Sequence, residues 1–114
     1  MPKPKTSEVW LVRFPFSDLT TTKLRPALVL AVHGEDVIVL GLFSRIPDKL
    51  RPTWVLIEDG HPQFGMSGLS KVSLLKAEKI AVVHESVFQR HLGVLPADLI
   101  VKAHEALRRA LLLN

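Results

Sequence analysis

Two short runs of β-branched and leucine residues, Ala27–Val32 and Asp36–Leu42, are separated only by His33, Gly34 and Glu35. That spacing closes a hairpin, because glycine supplies the positive φ that a tight connection between two strands requires. An antiparallel pair is thereby set early in the chain. The segment before it repeats the theme: Glu8–Phe14 is rich in β-formers, with Trp10, Val12 and Phe14 on one side of a period-two reading and Val9, Leu11 and Arg13 on the other. Strands that follow one another with no helix between them exclude a doubly wound parallel sheet and favour a small antiparallel, partly closed barrel.

The rest of the chain fits around this pair. Pro15–Lys23 carries Ser17, Asp18 and the threonines Thr20 to Thr22, which is loop chemistry. Pro26 steers Arg25 out of the helical region, placing it at a strand entrance. Ser44–Pro52, with two prolines and the basic residues Arg45, Lys49 and Arg51, cannot be a central strand. Thr53–Ile57 resumes β character, and Glu58–Gly68 reads as a long mobile loop. Val72–Val83 is divided: Leu74 to Lys79 are good helix formers, whereas Ile80 to Val83 prefer strand. Ser86–Leu92 followed by Gly93 predicts one or two helical turns with a glycine cap. Pro96 then opens an amphipathic helix to about Leu112, striped by Leu99, Ala103, Leu107 and Leu111, with Arg108 and Arg109 suited to its C-terminal end.

One domain over 1–114, with 1–7 as a flexible tail, accommodates these elements. The absence of cysteine excludes disulfides, zinc-thiolate sites, iron-sulfur clusters and a cysteine nucleophile. Fifteen Lys and Arg against eleven Asp and Glu give a net charge of +4, a mild field that suits acidic partners. The apolar runs are too short for a signal-peptide core or a membrane span, so the expected location is the cytoplasm, away from membranes.

Familiar catalytic motifs fail on inspection. His84-Glu85 and His104-Glu105 have Phe88 and Arg108 where a zincin needs its second histidine. Gly60, Gly65 and Gly68 lack the lysine-hydroxyl pair of a phosphate loop, and no G-x-S-x-G elbow occurs. What remains is dispersed polarity: Arg25 at a strand entrance, Ser44 and Arg45 just past a strand, and Lys76 with Glu78. On a strand the last two share a face, where a cation beside a carboxylate can serve phosphodiester chemistry. Singly, each reads equally as a surface residue or an ordinary ion pair.

The stretch Val12-Arg13-Phe14-Pro15-Phe16-Ser17-Asp18-Leu19, followed by Lys23-Leu24-Arg25-Pro26-Ala27-Leu28-Val29-Leu30, resembles the opening of the PemK/MazF-like toxins of bacterial toxin-antitoxin pairs. Leu42-Phe43-Ser44-Arg45, Gly68-Leu69-Ser70-Lys71-Val72-Ser73 and Leu92-Gly93-Val94-Leu95 extend the match along nearly the whole chain. The resemblance implies a mainly β fold, a small SH3-like antiparallel barrel with a short helix and a C-terminal amphipathic helix, and it favours strand for Leu74–Glu78. It also implies a homodimer that cleaves single-stranded RNA without metal or other cofactor, by attack of the ribose 2′-hydroxyl on its own phosphate, and an antitoxin whose acidic segment covers the active face.

Carried over by position, Arg25 would meet the scissile phosphate. Of the family's hydroxyl pair only Ser44 is present, the first place being Phe43. Lys76 and Glu78 stand where the family has arginine and aspartate. These four form the implied catalytic set, with Lys23, Arg45, Lys49, Arg51 and Ser73 as RNA-binding residues. The alternative function is a non-catalytic barrel of the same fold that binds nucleic acid, an antitoxin or a target protein such as a topoisomerase.

Overall fold

The structure, a computed structural model, describes residues 3–14 and 23–114. The hydroxyl-rich loop expected from Pro15 onward lies outside the described residues. Six strands, β1 (Glu8–Phe14), β2 (Lys23–His33), β3 (Asp36–Phe43), β4 (Trp54–Ile57), β5 (Ser73–His84) and β6 (Phe88–Val94), precede one helix, α1 (Ala97–Ala110). They form one sheet in the order β4-β5-β3-β2-β1-β6, every pairing antiparallel. The sheet is open, with β4 and β6 at its edges.

The β2–β3 hairpin closes at the pair His33 and Asp36, and Gly34 takes the expected positive φ of 62°. Alternation along the strands sends side chains to two cores. On one face Val9, Leu28, Leu40 and Leu75 pack with Leu99, Ala103 and Ala106 of α1. On the other, Trp10, Val12, Val29 and Val39 pack with Phe88, whose ring meets the Trp10 ring edge-to-face at 5.7 Å. The helix stripe differs from expectation at its end: Ala106 is buried, Leu107 only partly, and Leu111 is 46% exposed because the helix stops at Ala110.

Three expectations are corrected. Only Glu85–Val87 forms a helical turn, of 3₁₀ type; Phe88–Val94 is a strand paired with β1. Long-range pairing overrides the local signal, and Gly93 serves close approach instead of a cap: a Cβ there would lie 2.2 Å from the Met66 carbonyl oxygen. The loop at 58–68 is tied down, with a 3₁₀ turn over Phe64–Ser67. The buried Ser67 hydroxyl donates to the Phe64 carbonyl at 2.7 Å and accepts the Leu69 N–H, while His61 meets Asp98 at 2.8 Å. Residues 3–7, read as a tail, are also fastened: Pro4 is buried, the Ser7 N–H donates to the Val29 carbonyl, and the Ser7 carbonyl accepts from Leu95.

The feature that positions the site is an irregularity in β5. One step along β3, from Leu40 to Gly41, corresponds to the step from Ile80 back to Lys76 along β5. Residues 77–79 therefore leave the β3 ladder, and Ala77 bonds the Thr53 carbonyl at the entrance to β4. Such bulges bend a strand and re-aim its side chains.

Candidate functional site

Arg25 projects from β2, held extended by Pro26; Phe43 ends β3 and Ser44 follows it; Lys76 lies in β5 opposite both Gly41 of β3 and Trp54, the first residue of β4. These elements bring cations and rings into alternation. The Arg25 guanidinium lies 5.3 Å from the centre of the Phe43 ring, and Lys76 Nζ lies 5.0 Å from that ring and 4.7 Å from Trp54. Arg51 continues the row at 5.0 Å from Trp54. Each contact falls within the range of a cation–π attraction, so the rings offset the repulsion among three neighbouring positive charges.

Glu78 anchors the far end of this row. Its carboxylate accepts from Arg51 at 2.8 Å and from Thr53 Oγ1 and Trp54 Nε1 at 2.9 Å each. Partial burial is the largest single influence and works against its charge, but its own backbone N–H together with Thr53, Trp54 and Arg51 outweighs burial and holds the carboxyl below its usual value. Glu78 is thus an ionised acceptor with three donors in place, suited to fixing Trp54 and Arg51 and ill suited to proton transfer near neutral pH.

Two grooves meet at a shared wall made of Arg25, Phe43 and Ser44. The first, of about 540 Å³, adds Arg45, Trp54, Lys76 and Lys79. The second, of about 500 Å³, adds Lys71, Ser73 and Arg90 over an apolar floor. Among the described residues, neither lining contains a carboxylate or a histidine. Cations concentrated in a concavity without counter-charges focus a positive potential on any ligand there, which suits a phosphate chain. Among the described residues no group of His, Asp and Glu is placed to hold a metal ion, and no helix is long and apolar enough to cross a membrane.

The structure thus brings together Arg25, Ser44, Arg45 and Lys76, and sets Glu78 and Arg51 behind Trp54 as a brace. Ser73 is buried at the groove wall, its hydroxyl donating to the Lys71 carbonyl at 3.0 Å. Lys23 and Lys49 are exposed and line neither groove. Sequence reasoning missed Trp54, Lys79, Lys71 and Arg90. A ring flanked by the basic stretch Arg45–Arg51 was the available signal for Trp54; Arg90 fell in a segment read as helix, so its direction could not be assigned.

Comparison with solved structures places this architecture among known toxins. An endoribonuclease in complex with its cognate antitoxin from a mycobacterial species superimposes with a TM-score of 0.72 at 22% identity, covering 97% of each chain. The Mycobacterium tuberculosis toxin MazF-mt6 gives 0.74 at 19% identity over 94% of this chain and 98% of that one. The MazE–MazF structure (Form-II) from Deinococcus radiodurans gives 0.74 at 20% identity with full coverage of both chains. At such identities the likeness establishes the fold. No curated protein sequence matches the chain. The family described as PemK-like, MazF-like toxin of type II toxin-antitoxin system matches residues 5–111, nearly the whole sequence and all the elements that build the two grooves. With fold and sequence in agreement, the chain belongs to the PemK/MazF-like toxin family of type II toxin-antitoxin systems.

Proposed function

We propose that this toxin acts as an endoribonuclease on single-stranded RNA, without metal, through the ribose 2′-hydroxyl. The observation that carries the reading is the convergence of Arg25 and Lys76 on Phe43, at the wall between two grooves whose described lining residues include cations and no carboxylate. In the reaction the 2′-oxygen bonds to the adjacent phosphorus and passes its proton to solvent water, while the bond from phosphorus to the 5′-oxygen breaks and that oxygen gains a proton. The products are a 2′,3′-cyclic phosphate and a 5′-hydroxyl. Negative charge builds on the phosphate as the bond forms, and Arg25 is the group preorganised to offset it. Lys76, confined between two rings, adds a second charge and a proton for the departing oxygen. Ser44 offers a hydroxyl at the same wall. Glu78 takes a positioning role, holding Trp54 and Arg51. Arg45 and Ser73 lie on the path of the bound chain, and Lys23 and Lys49 add to its electrostatic attraction.

The same cations suit an acidic antitoxin segment; the similar mycobacterial endoribonuclease is in complex with its cognate antitoxin, and the Deinococcus radiodurans structure is that of MazE–MazF. Ile80 and Val82, on one face of the outer half of β5, leave apolar surface exposed, consistent with a homodimer. Action on RNA places the protein in the cytoplasm. A non-catalytic reading, in which the grooves bind nucleic acid, an antitoxin or a target protein, draws on Phe43 at the family's hydroxyl position and on the fully engaged carboxylate of Glu78.

Incubation of the purified protein with single-stranded RNA in the presence of chelator separates the two. The proposed activity yields cyclic-phosphate and 5′-hydroxyl ends and leaves a chain with a single 2′-deoxy substitution intact at that site. Binding without cleavage would establish the non-catalytic reading.

A further inference from the structure

The second groove is a built site in its own right. Arg90 of β6 pairs with Leu11 of β1, which pairs with Pro26 of β2. Paired residues of neighbouring strands share a face, so Arg90 rises beside the floor that Leu11, Leu24 and Leu92 provide. The opposite wall is the chain around residues 66–71, laid directly on β6. A Cβ at Gly68 would lie 1.9 Å from the Leu92 carbonyl oxygen, and one at Gly93 would lie 2.2 Å from that of Met66. Backbone packed on backbone at this range gives the wall little freedom, and the Ser73 hydroxyl bonded to the Lys71 carbonyl holds its far end. Lys71 and Arg90 are exposed, and neither forms an ion pair among the described residues.

An apolar floor beneath two cations with no counter-charge among the described residues fits a nucleotide: the base or ribose covers the leucines and the phosphate meets the cations. Arg25 stands on the wall shared with the first groove. A nucleic-acid strand crossing that wall therefore enters both grooves.

The geometry points to a second phosphate subsite, in which Lys71 and Arg90 bind the phosphate adjoining the one held at Arg25, with that nucleotide's base over Leu11, Leu24 and Leu92. This inference rests on the proposed RNA binding but does not require that the RNA be cut. Arg90 supplies a planar fork for two phosphate oxygens, and Lys71 supplies a mobile point charge.

The test uses 2′-deoxy oligonucleotides, which the proposed chemistry cannot cleave, in a series of increasing length from the dinucleotide. Affinity is measured at several salt concentrations for the parent, for Lys71→Gln with Arg90→Gln, and for a charge-matched control, Lys3→Gln with Lys102→Gln, whose sites lie away from both grooves. Once the oligonucleotide spans both grooves, the Lys71/Arg90 variant should bind roughly tenfold or more weakly. Its log-affinity against log-salt slope should be shallower by about 0.7, the share of the one single-strand phosphate that the pair neutralises. The dinucleotide, with one phosphate to place, should bind both proteins alike, and the control should match the parent throughout.

An equal loss at every length, a similar loss in the control, or no loss at all would overturn the subsite. So would a parent that binds none of the series, or a Lys71/Arg90 variant whose oligomeric state changes in sedimentation while nucleotide affinity holds, since the groove would then be an interface between copies. Length-dependent binding without RNA cleavage would sink the endoribonuclease reading and leave the subsite standing. Cleavage that depends on Arg25, with length-independent loss of affinity, would do the reverse.

Discussion

The two halves of β5 have the same neighbour, β3, and different fates. From Ser73 to Ala77 the strand is buried almost throughout, its stretch up to Lys76 lying between β3 and β4, with Leu74 and Leu75 fully covered. From Glu78 to His84 it alternates between partly covered and exposed positions, pairs with no strand on its β4 side among the described residues, and leaves Val82 65% exposed. The irregular step between the halves carries Lys76 at its edge and Glu78 and Lys79 within it. The comparison teaches how a small sheet can combine a firm core with a functional face: the buried half supplies the stability, and the bulge turns charged residues out of the ladder just where that core ends.

The largest effect should come from the buried half. Leu75→Ala, which empties space between Leu42 and Val55, should lower unfolding free energy by about 2–5 kcal/mol. Val82→Ala, at the corresponding distance beyond the bulge, should stay within about 0.5 kcal/mol in the isolated subunit. Paired denaturant titrations check this, and equal losses would erase the distinction between the halves. If a second copy covers Val82, the variant's loss will depend on protein concentration, which sharpens the comparison by assigning the exposed half to the dimer.

A smaller effect is expected at the brace. Trp54→Leu removes one ring from beside Lys76 and one donor from Glu78. Loss of an exposed cation–π contact is worth about 0.5–1 kcal/mol, so RNA cleavage should fall by about twofold to fivefold while the fold is retained. An unchanged rate would show that the Trp54 ring does not hold Lys76 where it acts.

The smallest effect concerns pH. Because the folded-state carboxyl of Glu78 lies below its ordinary value of 4.5, its contribution to stability is fully present above that value and is lost as pH falls through the folded one. Glu78→Gln should therefore flatten a slight acid-side decline in the denaturation midpoint. It should leave the shape of the cleavage–pH profile near neutrality unchanged, since a brace does not exchange protons. Loss of a limb of that profile in the variant would make Glu78 an acid or base after all.

What could be read from the sequence was local in origin. Hairpin spacing at Gly34, alternation in Glu8–Phe14 and the proline-opened helix each depend on neighbours in the chain, and each is present in the structure. Residues 86–92 misled because their helical signal competes with pairing to β1, some eighty residues away (Trp10 opposite His91). Gly68 and Gly93 looked like a loop residue and a cap, yet their role is to let two backbone segments touch, which depends on a contact between segments distant in sequence. The site followed the same division. Arg25, Ser44 and Lys76 carried positional resemblance to a family, and Lys71 lay in a matching segment without a role assigned to it, whereas Trp54 and Arg90 join the site only through the β4–β5 and β1–β6 pairings.

The central claim is that Arg25 stabilises charge on the phosphate during cleavage beyond simply holding RNA. The direct measurement is single-turnover cleavage and equilibrium RNA affinity for the parent and Arg25→Ala, in chelator and on the same RNA. The account predicts a rate lower by roughly a hundredfold or more, the scale for one preorganised charge stabiliser, with a much smaller change in affinity. An Arg25→Ala protein that cuts as fast as the parent, or whose lost rate is matched by lost affinity, would contradict it.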